Sequence, residues 1–201
     1  MSRCLVTPSL HAAWQWFMQS DADDIAIFLE TLNRVERAPS EAVLAGRQFE
    51  NDVFTYCDGR YEARGGKQSL YDECVVEAAE QVRGGLRQER LYREARIGGF
   101  DVLLYGRADV IRRGRIYNLK KSRSYEIGKY TGSIQHPLYM WAAGIDSFRY
   151  IVSDGRSLWF EDYHLDDPMR EQMVGEVAAM LTSIFGSPVL REPYVAHWVA
   201  L

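Results

Sequence analysis

One stretch limits what this chain can fold into more than any other: Gly106-Arg107-Ala108-Asp109-Val110-Ile111-Arg112-Arg113-Gly114-Arg115-Ile116-Tyr117-Asn118-Leu119-Lys120. Apolar and polar residues alternate on both sides of Arg113-Gly114, a dipeptide suited to a tight turn, so the stretch reads as a β-hairpin. A two-residue period cannot face a helix toward a core, and the chain must therefore build sheet here. Upstream, Gly98-Gly99 joins strands at 90–97 and 100–111, and 115–120 supplies the third strand of an antiparallel meander.

Around the meander the period is helical. Residues 9–18 follow Thr7-Pro8 as a short aromatic helix with Ser9 as its N-cap. Residues 21–35 carry acids in the first turn and apolar residues at helical spacing. Residues 40–56 place Val43, Leu44, Phe49, Val53 and Phe54 mostly on one face, with Glu50 near the middle; the Asp58-Gly59 turn and the Gly65-Gly66-Lys67 loop close that unit. Residues 69–86 give a fourth helix, ended by Gly84-Gly85. After the meander, 133–143 reads as a helix with Pro137 in its first turn, and 148–152 and 158–165 as strands flanking Asp154-Gly155. Asp166-Asp167-Pro168 caps a last helix running to about Phe185, and 188–201 reads as an irregular, apolar-rich tail packed on the body. The order predicts an α/β fold, a central mixed β-sheet flanked by helices with extra N-terminal helices. At 201 residues and 47% hydrophobic content one core suffices. A single domain over 1–201 is expected, with an N-terminal helical part (1–45), a core (46–165) and a C-terminal helix and tail (166–201).

Composition excludes several classes. No run approaches the ~20 apolar residues of a membrane span. Arg3, followed only by Cys4, Leu5 and Val6 before Thr7-Pro8, does not make a signal peptide, so the cytoplasm is the expected compartment and no membrane partner is expected. Cys4, Cys57 and Cys74 are scattered, odd in number and without CxxC; buried, inert thiols are expected, with neither a disulfide framework nor an iron-sulfur cluster. His11, His136, His164 and His197 lack zinc-site spacing. The net charge of −4 hides an asymmetry: residues 83–129 hold 13 Lys and Arg against 5 Asp and Glu, and the remainder 11 against 23. The basic region suits a polyanion while the rest resists non-specific adhesion. Arg83, Arg87 and Arg90 fit a solvated charged face equally well. Trp14, Trp16 and Phe17, at helical spacing, read as core more readily than as a base-stacking platform.

Metal-assisted phosphodiester cleavage needs hard oxygen ligands converging on one point. Asp109 lies near the end of its strand, and the next strand brings Asn118 and Lys120 alongside it. Those two residues share a face, while Leu119 turns into the core and leaves its backbone carbonyl available as a ligand. A lysine at such a point orients or deprotonates water and stabilises phosphate charge.

These residues resemble the PD-(D/E)XK nucleases, and within them the RecB-like group that includes phage and CRISPR-associated exonucleases. The resemblance spans residues 46–164. Gly46-Arg47-Gln48-Phe49-Glu50 is similar to the family's GxxFE helix, Gly106-Arg107-Ala108-Asp109 to its GxxD, Tyr117-Asn118-Leu119-Lys120 takes the place of (D/E)xK, and Gln135-His136-Pro137-Leu138-Tyr139 matches the QxxxY helix. The resemblance implies a restriction-endonuclease-like core and a Mg²⁺- or Mn²⁺-dependent deoxyribonuclease, acting as an exonuclease in DNA repair or recombination in a bacterial cell or phage-infected host. By it, Glu50, Asp109, Asn118 and the Leu119 carbonyl would hold the metal, Lys120 would be the catalytic lysine, and Gln135 and Tyr139 would position the DNA backbone or the metal-bound water. Arg107, Lys121, Arg123 and Lys129 would contact phosphates. No P-loop pattern is present, so a helicase or recombination partner would be a separate chain.

Asn118 departs from the pattern. An amide oxygen coordinates a divalent ion but carries no charge, so the site loses an anionic ligand. Two origins fit: natural divergence toward a DNA-binding relative, or an Asp→Asn replacement that stops cleavage and preserves shape. The second is favoured, because Glu50, Asp109, Lys120, Gln135 and Tyr139 all remain. The expectation is an inactivated or impaired nuclease. The alternatives are a non-catalytic nucleic-acid-binding or regulatory module on the same scaffold, and a protein-interaction factor in phage or host defence.

Overall fold

A computed structural model describes residues 3–20, 25–63 and 69–200. In chain order the elements are β1 (Arg3–Val6), α1 (Pro8–Gln19), α2 (Ile25–Leu32), α3 (Glu41–Cys57), α4 (Leu70–Val82), β2 (Leu86–Ile97), β3 (Phe100–Arg112), β4 (Arg115–Lys121), α5 (Gln135–Ala143), β5 (Ser147–Ser153), β6 (Leu158–His164), α6 (Asp167–Gly186), α7 (Pro188–Trp198) and β7 (Val199–Ala200). The strands form one sheet in the order β6-β5-β4-β3-β1-β7, with β2 also paired to β3. β1–β3 and β4–β5 are parallel and the other pairs antiparallel, so the sheet is mixed. Helices cover both faces. One core joins the sheet to α1, α2, α5, α6 and α7; a smaller one joins it to α3 and α4 through Phe49, Val53, Val75, Ala78, Val110, Tyr117, Leu119 and Ile151. The α/β fold that the sequence predicts, a central mixed sheet flanked by helices, is the fold observed.

The antiparallel meander holds, and Arg113 (φ 49) with Gly114 (φ 73) makes the two-residue turn whose twist matches its strands. Four expectations change. Thr7, not Ser9, caps α1, accepting a hydrogen bond from Leu10 N at 3.1 Å. The fourth helix stops at Val82 and the strand after it begins at Leu86 rather than at Arg90, because Gly84 (φ 77) turns the chain. Residues 3–6 form a strand, parallel to β3 and antiparallel to β7, with Cys4 and Val6 buried; four residues carry too short a pattern to read. The tail is ordered: α7 starts on Pro188, whose missing N–H is free at a helix start, and tolerates Pro193. The first turn expected at 21–24 and the Gly65-Gly66-Lys67 loop lie outside the described residues. Among the described residues no single helix is long and apolar enough to cross a membrane.

Topology opens the sheet at one place. β2 pairs with β3 from Leu86↔Ile111 to Ile97↔Phe100 and so occupies one whole edge of β3. β1 and β4 must share the other edge. β1 lies against residues 102–104 and β4 against 110–112, which leaves 105–109 without a ladder partner between them. The sheet forks there. β3 also turns over at the fork: Ala108 packs in the larger core and Val110 in the smaller one, where a regular strand would place both on one side.

His136 does not reach the fork. Its ring stacks on Tyr163 at 3.9 Å, and burial pushes the imidazole down to about 4, only partly offset by Glu161. The unfolded imidazole titrates near 6.5, so between these values the unfolded chain binds more protons and stability rises with pH. Stability is therefore expected to fall as pH drops from 6.5 toward 4, by up to ~3 kcal/mol from this group. Urea unfolding at pH 7.5 and 5.0 checks this, with His136→Phe expected to lose about 2 kcal/mol less across that interval; equal losses in both chains would refute it. Trp14 is buried in the same core and Phe17 stacks on Phe28 at 5.1 Å, whereas Trp16, expected in the core with them, is exposed.

Candidate active site

The fork becomes a cleft of about 550 Å³ lined by Gly46, Glu50, Tyr105, Gly106, Arg107, Asp109, Asn118, Leu119, Lys120, Gln135 and Tyr139, with the start of α1 and Trp198 at its rim. Four elements deliver these residues, each held by its own packing. On α3, Phe49 and Val53 are fully buried, worth about 1.5–3 kcal/mol each, and this fixes the helix rotation that turns the adjacent Glu50 toward the cleft. On β4, Leu119 packs in the smaller core, so Asn118 and Lys120 face the other way. α5 places Gln135 and Tyr139 one turn apart on the same wall. A Cβ on Gly106 would sit 2.1 Å from Tyr139 Cε1, so glycine there is what lets the ring close against β3.

The groups that the fork leaves without sheet partners find side chains instead. Leu119 N donates to Asp109 Oδ2 at 2.7 Å, the carboxylate replacing a strand carbonyl, and Arg107 N donates to the Tyr139 hydroxyl at 3.3 Å. A chain of hydrogen bonds crosses the floor. The Tyr150 hydroxyl donates to Gln135 Oε1 (3.4 Å), Gln135 Nε2 to Asn118 Oδ1 (2.6 Å), and Asn118 Nδ2 to Asp109 Oδ2 (2.5 Å). Asp109 therefore already has a donor where the family pattern would set a second carboxylate beside it.

Electrostatics follow from this burial. Desolvation, reinforced by the neighbouring Glu50, pushes the Asp109 carboxyl up to about 7, against the opposing pull of the Leu119 N–H, Lys120 and the Asn118 amide. Burial also raises Glu50, countered by Arg107 and Lys120, and lowers Lys120, countered by Asp109 and Glu50. Two carboxyls and a lysine thus share one buried charge balance that a cation or an anion entering the cleft would shift.

Among the described residues no group of three or more His, Cys, Asp and Glu side chains is placed to hold a metal ion. The donors that do line the cleft are two carboxylates, Glu50 and Asp109, with the Leu119 carbonyl and the Asn118 amide. In kind they fit one hard cation that completes its shell with phosphate oxygens and water, as Mg²⁺ commonly does. They are one carboxylate short of a stronger cage, and the Asn118 amide oxygen is engaged by Gln135.

Not every expected residue arrives. Arg107 lines the cleft and is exposed. Lys121 points to the opposite face of β4, its Nζ 5.5 Å over the Tyr71 ring, as the neighbour of a cleft-facing residue on a strand must. Arg123 is paired with Glu41 at 2.6 Å and the Lys129 ammonium with Ser122 Oγ at 2.9 Å, both outside the cleft. Much of the basic run is engaged within the protein: Arg87 on Asp58, Arg96 on Asp101, Arg115 on Asp162, and Arg112 on the carbonyls of Glu80 and Gln81. The three cysteines are free thiols, with Cys4 and Cys74 buried.

Two participants escape sequence reasoning. Tyr150 reads as an ordinary strand residue until its hydroxyl is seen anchoring Gln135. Gln88 stands in β2 with φ 55, a left-handed conformation that costs a non-glycine residue about 1 kcal/mol, and its amide nitrogen donates to Glu50 Oε1. Nothing in a single sequence marks such a residue.

No protein-family model matches the sequence, and no curated protein matches it. Solved structures do match. SSO0001 superposes with a TM-score of 0.54 at 14% identity, over 89% of this chain and 77% of its own. LHK-Exo in complex with dAMP gives 0.52 at 16% identity, over 90% of this chain and 88% of its own. LHK-Exo, an alkaline exonuclease from Laribacter hongkongensis, solved separately, gives 0.50 over the same shares. The chain shares its fold with this alkaline exonuclease. At such identity the likeness establishes architecture, and chemistry has to be argued from the cleft.

Proposed function

We propose that this chain is a RecB-like, divalent-metal-dependent deoxyribonuclease of the exonuclease type, with cleavage suppressed by Asn118. The observation that carries the reading is convergence. Glu50, Asp109, Asn118, Lys120, Gln135 and Tyr139, spread over 90 residues of sequence, line one cleft where β1 and β4 separate on the same edge of β3. The LHK-Exo structure with dAMP supports a DNA substrate for this fold.

Glu50, Asp109 and the Leu119 carbonyl would hold Mg²⁺ or Mn²⁺, which when bound supplies Lewis-acid polarisation of the phosphate and a more acidic water. The protein's own residues do the rest. Lys120, desolvated between the two carboxyls, offers its ammonium to the phosphate oxygens and to charge developing during attack. Arg107 sets the backbone at the mouth of the cleft. Gln135 holds the side chain at 118, and Tyr139 closes the wall beside Gly106. Asn118 removes one negative charge and ties Asp109 to an amide, and both effects weaken metal binding.

The test is digestion of linear, circular and single-stranded DNA by the chain and its Asn118→Asp variant in Mg²⁺ and Mn²⁺, with Asn118→Asp/Lys120→Ala as control. A gain of cleavage that the second substitution removes is expected. The hydrogen-bonded floor favours one other reading, a binding module that needs no metal, because Tyr150, Gln135, Asn118 and Asp109 satisfy one another without a cation. That reading predicts DNA binding that falls steeply with salt and ignores Mg²⁺.

A further inference from the structure

We propose that Gln88 is a positioning residue for the metal site, holding the Glu50 carboxylate where a divalent cation would meet Asp109. The inference rests on the metal-site reading above and adds to it a residue from a fifth element, β2. Around Gln88 the β2–β3 ladder keeps one register: Arg87 pairs with Val110 and Glu89 with Ala108. Only the rung between them, Gln88 opposite Asp109, is missing. Both strands therefore release one residue at the same level. On β3 the released residue is Asp109, whose carboxylate turns to Leu119 and Asn118. On β2 it is Gln88, which adopts φ 55, and its side chain donates to Glu50 Oε1 across 38 residues of sequence.

β3 turns over at this level and β2, paired to it on both sides, turns over with it, so the backbone calls for a residue off the regular strand conformation at 88 but not for a glutamine. Glycine would take the same backbone conformation without penalty. What glutamine adds is an amide donor long enough to reach the carboxylate of α3. Glu50 has Arg107 and Lys120 nearby as charges, but among the described residues the Gln88 amide is the one hydrogen bond that its side chain makes. Such an outer contact fixes the direction of a ligand's lone pairs, and its loss typically weakens metal binding 10- to 100-fold.

The experiment is Mn²⁺ titration by calorimetry, with melting temperatures measured in parallel, on the parent, Gln88→Gly, Gln88→Asn, Glu50→Gln and Gln88→Gly/Glu50→Gln, each also in the Asn118→Asp background. Gln88→Gly is expected to weaken Mn²⁺ binding about tenfold while melting at the same temperature or a few degrees higher, since the strain is relieved. Gln88→Asn, which tolerates the backbone but is one methylene too short, is expected to weaken binding similarly. In the Glu50→Gln background, Gln88→Gly is expected to have no further effect. Mn²⁺ affinity unchanged within twofold in Gln88→Gly, alongside a clear loss in Glu50→Gln, overturns the role of Gln88 and leaves the metal site standing. Loss of melting temperature without loss of affinity overturns it equally, assigning Gln88 to the fold. No Mn²⁺ binding in either background, or binding indifferent to Glu50→Gln, overturns the metal-site reading and this inference with it.

Discussion

Replacing Asn118 by aspartate is expected to produce Mg²⁺-dependent DNA cleavage and, without metal, a less stable protein. The amide that donates to Asp109 Oδ2 at 2.5 Å becomes a carboxylate at the same distance, beside a group already pushed up to about 7 and close to Glu50. A lost hydrogen bond to a charged partner costs about 1.5–3 kcal/mol, and sharing one proton between the two carboxyls limits the further penalty. For a chain of this size, each kcal/mol lowers the melting temperature by about 2–4 °C. Adding Mg²⁺ reverses the loss, because an ion present at 100 times its dissociation constant stabilises by about 2.7 kcal/mol. Cleavage is expected to rise by about 10²-fold or more, the scale of one electrostatic contact made to the transition state. Melting curves in EDTA and in Mg²⁺ read the first effect and digestion the second. The nuclease reading fails if Asn118→Asp melts identically in both and cuts no substrate.

Gly106→Ala is expected to be among the most damaging substitutions of one small residue by another in this chain. The new methyl would lie 2.1 Å from Tyr139 Cε1 and 2.8 Å from Cδ1 and Cζ, well inside contact distance. The ring cannot retreat freely: Tyr139 is 6% exposed, packs edge-on against Phe148 at 6.3 Å, and its hydroxyl accepts from Arg107 N. Overpacking of this kind costs about 1–3 kcal/mol. The displaced hydroxyl also releases the one backbone donor that the fork leaves to Tyr139. Shrinking the ring separates packing from backbone effects. If the clash is the cause, Gly106→Ala/Tyr139→Ala is destabilised by less than the sum of its parts, by about 0.5–3 kcal/mol in urea unfolding. Strict additivity would place the cost in the backbone of β3 instead.

Much of the site was legible because its signals are local. The two-residue alternation about Arg113-Gly114 marks the hairpin, and i, i+4 spacing puts Gln135 and Tyr139 on one wall. Lys121 shows a legible fact passed over: adjacent residues on a strand face opposite sides, so Lys120 in the cleft already sends Lys121 away from it. The basic run misleads for another reason. A count along the chain does not know that Arg87, Arg96 and Arg115 each have a carboxylate within reach once the strands pair.

By itself the sequence determined the kinds of element, their order and the side chains available for chemistry, since these follow from periods of two and 3.6 residues and from turn residues read over short windows. Tertiary structure decided where those side chains meet. β1 and β4 use the same edge of β3 because β2 fills the other, and that competition between segments some 100 residues apart leaves no local pattern. From it come the fork, the carboxylate of Asp109 in place of a strand carbonyl, and Gln88 turned out of its strand toward Glu50. Asn118, conspicuous in the sequence as a missing charge, gains its second role there: between Gln135 and Asp109 its amide links the two in the described fold.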